Sequence, residues 1–466
     1  MRLVEEKRYS KACWLLEYLF FCLVFSCDTL VTEIGYDRLR GERMKKFKGF
    51  IVLILLAVVG CSAATPQANL EPDKEVKKEV NEKIVFWDQQ RKGTNFMNSK
   101  SIPENYDAAK ENNIEFIRLA PDKWAKDSDF LFNDQPDANP DKDFLIGNAD
   151  KYEGLVEDDF TALKADLDAA EARGSKVVLT VLSLPGDRWR QFNDYTNDDR
   201  IWKDFSYHEQ AATFWKDLAE RLKDHPAVVG YNLINEPHPE QATGFNDFWT
   251  EDYNEWYSSV ENTPADLNIL YETIVTAIRT VDTETPIIVN SGLYATPWAF
   301  KYLKPIDDAN VLYAFHMYEP YELTSQNKKK GLTYEYPGTV KVGEEKTEKA
   351  FNKKALKDFL EPIAQWAEKN NIPANRIVAE EFGTNRLVKG ADQYLADLIS
   401  IFDDYGWHWA FYAFREDTWD GMDYELGIEP PTWEYWEAIE KGEQPDRKTV
   451  DNPIWNVLTK GLEKLQ

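Results

Sequence analysis

Two runs of this sequence end in carboxylates placed where they could do chemistry. The first is Tyr231-Asn232-Leu233-Ile234-Asn235-Glu236-Pro237, and the second is Val378-Ala379-Glu380-Glu381-Phe382-Gly383. Each is a short β-rich stretch that runs into a turn signal, so each presents its acid at the end of a strand. Two carboxyls brought together from separate strands can divide the cleavage of an acetal between them. One must be protonated to assist the leaving oxygen, and the other must be ionised to attack the anomeric carbon. A separation of about 5–5.5 Å belongs to a double displacement that retains configuration. Different surroundings can hold the two in opposite protonation states at one pH. Glu380 competes with Glu381 for the attacking role. Successive strand residues point to opposite faces, so only one of the two is expected to face the centre.

Such residues need a frame that aligns strand ends. From residue 83 onward, β-rich runs at 93–96, 115–119, 176–182, 228–234, 286–290, 311–317, 376–381 and 407–414 alternate with longer stretches. Those are amphipathic at 103–112, 157–173, 208–224, 267–281, 353–370 and 391–405, with a short helix after Pro297 and a last one at 452–464. Strand alternating with helix means parallel strands, and eight such units close into an α/β fold of the (β/α)8 TIM-barrel type. The chain lacks the G-x-G-x-x-G of a dinucleotide-binding sheet. The long connections 122–157, 186–207, 238–266, 319–352 and 416–451 all follow strands. They are expected to stack on the C-terminal face, where barrels build their sites. Strands four and seven then face each other across the mouth.

Asn235-Glu236-Pro237 after strand four, with Glu381-Phe382-Gly383 after strand seven, resembles the clan A glycosidases, and most closely glycoside hydrolase family 5, the cellulase family. Arg118 in Phe116-Ile117-Arg118-Leu119 is similar to that family's strand-two arginine, and His316-Met317-Tyr318 to its strand-six His-x-Tyr. The resemblance runs from about residue 83 to the C-terminus. It implies Glu236 as acid/base, Glu381 as nucleophile, Glu380 as an ion pair lining the barrel or supporting the site, and Asn235 as the holder of the sugar 2-hydroxyl. It also implies that Tyr318 and Arg118 donate to Glu381, and that His316 sits beside Glu236 or the sugar at the point of cleavage. Two departures stand out. Leu182 takes the place of a strand-three histidine, and the tryptophan expected near the end of strand eight is missing. In its place the run Tyr412-Ala413-Phe414-Arg415 offers Phe414 as the floor for that sugar, or leaves the task to Trp407, Trp409 or Trp419. The implied function is a retaining β-glycoside hydrolase on a neutral β-linked glycan, with β-1,4-glucan, β-mannan, xyloglucan and β-1,3-glucan all open. The rival is a surface glycan-binding lipoprotein on an inactive barrel.

Weaker signals have plainer readings. The loops hold Trp189, Trp202, Trp249, Trp256, Trp298, Trp419 and Trp433 among others, and most tryptophans in a barrel are packing residues; Trp189 and Trp298 are the first candidates to stack on sugar. His208 and His225 lie on or beside the third helix and read as structural, while His238 is a candidate for the edge of the site. The stretch 127–143 is dense in Asp and Asn but lacks the ligand spacing of an EF-hand, so it reads as a solvated acidic loop. The sequence has no His/Cys cluster at metal-ligand spacing. No metal or cofactor is expected.

Of 466 residues, 43% are hydrophobic and 14% aromatic, enough for a large core and too many for a disordered chain. The formal charge of −27 excludes nucleic acid as a natural partner and disfavours uronate-rich polymers. All four cysteines (Cys13, Cys22, Cys27 and Cys61) lie in the first 61 residues, and a long thiol-free remainder suits an oxidising compartment. Met44-Lys45-Lys46 followed by the apolar run 49–60 reads as an export signal. Ala57-Val58-Val59-Gly60-Cys61 resembles a bacterial lipoprotein box, with Cys61 as the lipidated residue; the alternative is an ordinary signal peptide cut after Ala63 or Ala64. The expected order is a mis-called start or unstructured extension over 1–43, a signal over 44–61, a charged tether over 62–82, and the catalytic domain over 83–466. The whole is read as an exported, membrane-anchored monomer.

Overall fold

The computed structural model describes residues 82–463, apart from 125–142, 149, 191–192, 194–195, 246–251, 327–330 and 344–345. The expected leader, Cys61, most of the tether, nearly all of the acidic loop and Trp249 lie outside the described residues. The remainder belongs to one compact unit, Glu79–Gln466.

Eight parallel strands close on themselves: β1 (Lys92–Phe96), β2 (Phe116–Leu119), β3 (Val177–Thr180), β4 (Val228–Asn232), β5 (Ile287–Asn290), β6 (Val311–Met317), β9 (Ile377–Phe382) and β10 (His408–Phe411). Each strand pairs with its sequence neighbour among these eight, and β10 returns to β1 through Lys92↔Trp409. Runs such as Ile-Ile-Val-Asn in β5 are buried along their whole length, as a strand covered on both faces requires. Side-chain caps start several of the surrounding helices. Asp204 accepts from the Ser206 amide ahead of Phe205–Leu222, and Asn352 from Ala355 ahead of Lys353–Asn370, each worth about 1 kcal/mol. Gly406, at φ +71°, closes Ala391–Tyr405 in a conformation that costs other residues more.

The barrel interior is layered, and this layering positions the site. Its lower part is apolar, with Phe116, Val178, Val229, Ile288, Leu312 and Val378 meeting Trp87, which plugs the ring from the preceding segment. The Trp87 indole donates to the Val229 carbonyl at 2.9 Å, so its one polar atom is satisfied. Above lies a polar layer of buried Asn95, Arg118, Thr180, Asn232, Asn290 and Glu380.

The loops hold more regular structure than their composition suggests. An antiparallel hairpin, β7 (Gly338–Val342) with β8 (Thr347–Phe351), sits inside the connection after β6. Val340, Val342 and Phe351 are buried while most of their neighbours are exposed, a period-two pattern too short to stand out among charged residues. Helices Tyr253–Val260 and Trp433–Glu440 lie inside two other connections. The last barrel strand ends at Phe411, three residues short of the expected 414.

Candidate active site

Arg118 organises the mouth of the barrel from β2. Its side chain is fully buried, and each nitrogen is engaged. Nη1 donates to Glu381 Oε1 at 2.5 Å and to Asn95 Oδ1 at 3.1 Å. Nη2 donates to Asn235 Oδ1 at 2.7 Å and Asn232 Oδ1 at 2.9 Å, and Nε lies 3.3 Å from Glu380 Oε1. A buried guanidinium needs such compensation, since stripping one partner from a buried ion pair costs about 3–5 kcal/mol.

The expectation that Glu380 and Glu381 point to opposite faces is corrected here. Ala379 pairs with Phe315, but Glu381 pairs with His316, so β9 carries an extra residue at Glu380. A bulge of this kind breaks the alternation of side chains. Both carboxylates therefore reach Arg118. Glu380 stays below, ion-paired and accepting from Asn290 Nδ2 at 3.0 Å, while Glu381 rises into the cleft.

The two candidate catalytic acids meet as the sequence implied. One oxygen of Glu236, one of Glu381 and a ring nitrogen of His316 all lie within 4.8 Å of one another. An inverting pair, held about 6.5–9.5 Å apart to admit a water, does not fit this spacing; a retaining pair does. Their surroundings differ. Glu381 accepts the Tyr318 hydroxyl on Oε2 at 2.7 Å and Arg118 on Oε1. Burial alone would push its pKa up, but His316, Arg118 and Tyr318 together hold it below the usual carboxylate value, ionised for attack. Glu236 is one-third exposed and takes a single bond at Oε1, 3.0 Å from His316 Nδ1. Its backbone is left-handed at φ +51°, and the His238 ring, stacked on Tyr294 at 5.0 Å, donates from Nδ1 to its carbonyl at 3.0 Å. Asn235 gives its amide oxygen to Arg118, which leaves the NH2 end as the donor for a sugar hydroxyl.

The same three side chains, Glu236, His316 and Glu381, have the spacing of a metal cluster. Here the guanidinium and the Tyr318 hydroxyl already engage both oxygens of Glu381, so a divalent ion would be set against Arg118. A second group, Asp168, Glu171 and His225, lies on the surface, with Asp168 bonded to Lys164 at 2.7 Å.

The cleft has a volume of about 360 Å³ and is lined by Glu236, Glu381, Asn235, Tyr318, Trp189 and Trp419, with Met97, Lys123, Leu182, Tyr412 and Met422. Trp189 stands where it was expected. Two other candidates do not. Phe414 is buried against Trp455 and Phe96, at 6.0 and 6.2 Å between ring centres, because the strand ends early and turns this residue back into the core. Tyr412, the residue just past the strand, occupies the cleft instead, with Trp419 6.4 Å from it at the rim. Trp298 meets Tyr253 edge-on at 5.0 Å within a separate aromatic cluster around Phe245 and Leu293. Trp407 and Trp409 are core residues. His208 is a structural residue, bonded to the carbonyls of Ile201 and Pro264.

Removing the Tyr318 hydroxyl tests the ionisation of Glu381. A hydrogen bond to a charged group is worth about 1.5–3 kcal/mol. Tyr318→Phe is therefore expected to raise the acid limb of kcat/KM by about one pH unit or more. The sign follows from the lowered pKa. In the unmodified protein, both activity and this group's contribution to stability are present above the ordinary carboxylate pKa and are lost as the pH falls through the lowered one. An unmoved acid limb in the variant would mean that the hydroxyl does not tune the nucleophile.

Comparison with known proteins agrees with this geometry. A family model described as Cellulase (glycosyl hydrolase family 5) matches residues 78–418. Endoglucanase C of Acetivibrio thermocellus is 22% identical over 338 residues, covering 68% of this chain and 84% of that protein. Endoglucanase 3 of Fibrobacter succinogenes is 24% identical over 263 residues, 48% of this chain and 37% of that protein. Among solved structures, that of Thermotoga maritima Cel5A in complex with cellobiose shares the fold, with a TM-score of 0.51 at 17% identity over 82% of this chain and 99% of that one. With the match spanning the barrel from its first strand to past its last, and with the paired carboxylates in place, the chain belongs to glycosyl hydrolase family 5, the cellulase family, and is a glycoside hydrolase.

Proposed function

We propose that the protein cleaves a neutral β-linked polysaccharide internally by double displacement, as an endo-β-glucanase or a near relative of one. The observation that carries this is the approach of Glu236 and Glu381 to within 4.8 Å, with Arg118 and Tyr318 bonded to one carboxyl only. That asymmetry separates an ionised nucleophile from an acid/base. Glu381 attacks the anomeric carbon, Glu236 protonates the departing oxygen, and the same Glu236 then takes a proton from the water that releases the sugar. Asn235 holds the 2-hydroxyl, a contact that tightens in the transition state. Internal cleavage is favoured by an open cleft and by relatives named endoglucanases. The half-exposed Tyr294, stacked on His238 behind Glu236, offers a flat ring on the leaving-group side.

The test is product release from β-1,4-glucan, β-mannan, xyloglucan and β-1,3-glucan, run beside Glu236→Gln. Viscosity is expected to fall well before reducing sugar accumulates on at least one polymer. Binding without product across the whole panel would instead support the glycan-binding reading.

The chain is further proposed to be exported and held at a membrane by lipid on Cys61, acting as a monomer. The basic-apolar-Cys61 pattern supports the anchor. In a bacterial host, radiolabelled palmitate is expected in the unmodified protein and absent from Cys61→Ser. An unlabelled wild-type protein would leave the ordinary signal peptide as the reading.

A further inference from the structure

We propose that the part of the cleft holding the sugar over Glu381 is built for an O-acylated sugar, with the ester methyl on an apolar wall and the ester carbonyl on Lys123. The inference rests on the glycosidase reading above and goes beyond it, to the chemistry of the substrate.

The cleft is lopsided. Most of its polar lining comes from the ends of β4, β6 and β9 and the connection after β6: Asn235, Glu236, Tyr318, Thr324, Ser325 and Glu381, with Tyr321 beside them. Facing them, Met97 and Leu182 form a buried apolar cluster with Ala120, and Trp189 and Tyr412 lie against it. Met422 adds a second thioether to the same lining. A sugar hydroxyl pressed on Met97, Leu182 and Met422 would leave water for carbon and sulfur, which is unfavourable. A methyl group there gains both burial and contact with polarisable sulfur.

The wall is also fixed in place. Asp122 accepts the amides of Leu182 and Ser183 at 2.5 and 3.0 Å, and the Ser183 hydroxyl accepts the Trp189 amide at 2.9 Å. The backbone that carries Leu182 is thus tied to Asp122 through the amides on both sides of the Leu182 Cα.

Lys123 decides which methyl-bearing group fits. Its ammonium lies 3.0 Å from Glu416 Oε1 and 5.3 Å from the centre of the Trp189 ring, and an ammonium carries three donors. Because Lys123 lines the cleft, a donor beyond these two contacts suits the carbonyl of an ester. A deoxy sugar would bring the methyl without the acceptor. A uronate would bring a second negative charge beside Glu416, which already neutralises this lysine.

The experiment compares kcat/KM on naturally acetylated glucomannan, xyloglucan and xylan with the same polymers after alkaline deacetylation. On the polymer that is cleaved fastest, removing the acetyl groups is expected to lower kcat/KM about tenfold, or about 1.4 kcal/mol. Leu182→His and Leu182→Asn, which place donors on the wall, are each expected to shrink that preference. The wild-type comparison stands even if either variant fails to fold. A drop of less than about threefold, or faster cleavage after deacetylation, overturns the proposal while leaving the glycosidase reading intact. No product from any of these polymers in either form overturns the proposal too, and the β-1,4- and β-1,3-glucan arms of the panel above then decide the glycosidase reading separately.

Discussion

Glu381→Ala is expected to lower kcat on the order of 10⁵-fold or more, the scale of losing a nucleophile that acts as part of a concerted unit. The fold should survive the change, because Arg118 keeps an ion pair with Glu380 and bonds to Asn95, Asn232 and Asn235 when Glu381 is gone. Alanine leaves a gap of carboxylate size directly beneath the anomeric carbon. Azide is small and anionic, and the guanidinium that faced Glu381 favours it there. It is expected to restore bond cleavage and to yield a glycosyl azide of inverted configuration, since attack comes from the side that Glu381 used and no second displacement follows. The checks are a melting temperature, a rate series in azide, and the anomeric configuration of the product. Turnover undiminished in this variant, or an azide product of retained configuration, would remove Glu381 from its role.

The barrel was legible because parallel strands covered on both faces read as short, dense apolar runs, and those runs recur between long amphipathic stretches. Glu236 and Glu381 were legible for a related reason, as acids where a β-rich run breaks into a turn; Arg118, Asn235, His316 and Tyr318 were legible through the resemblance of their motifs to glycoside hydrolase family 5. What escaped depends on geometry that spacing does not carry. Strict alternation predicts that Glu380 and Glu381 diverge, and one extra residue against β6 turns both toward Arg118. Phe414 and Tyr412 have the same parity along the chain, so periodicity could not separate them; the strand's end at Phe411 does. Trp298 was favoured by residue type and loop position, yet burial against Tyr253 was the stronger force on a large apolar ring. Nothing in the sequence sets Asn232 and Asn95 apart from other strand residues. Only their place in the polar layer shows that they help carry the arginine that carries the nucleophile.

The second large effect belongs to Glu236, and its size should depend on the leaving group. Glutamine keeps an oxygen where His316 Nδ1 now meets Glu236 Oε1 at 3.0 Å, so the local geometry is preserved while the transferable proton is lost. For a glycan, whose leaving alkoxide is strongly basic, Glu236→Gln is expected to lower kcat/KM about 10²- to 10⁴-fold. A 2,4-dinitrophenyl glycoside departs without protonation, so its kcat/KM should change by no more than a few-fold, on the order of 1 kcal/mol. Release of the covalent sugar still needs a base to take a proton from water, so kcat on that substrate should fall and a burst of dinitrophenol should precede a slow steady state. Azide needs no base. It should accelerate the slow phase and, attacking the sugar still bonded to Glu381, give a glycosyl azide of retained configuration. Opposite configurations from Glu236→Gln and Glu381→Ala therefore assign each carboxylate to its own step. Equal losses on the glycan and the activated glycoside, with no burst, would mean that Glu236 does not carry the proton.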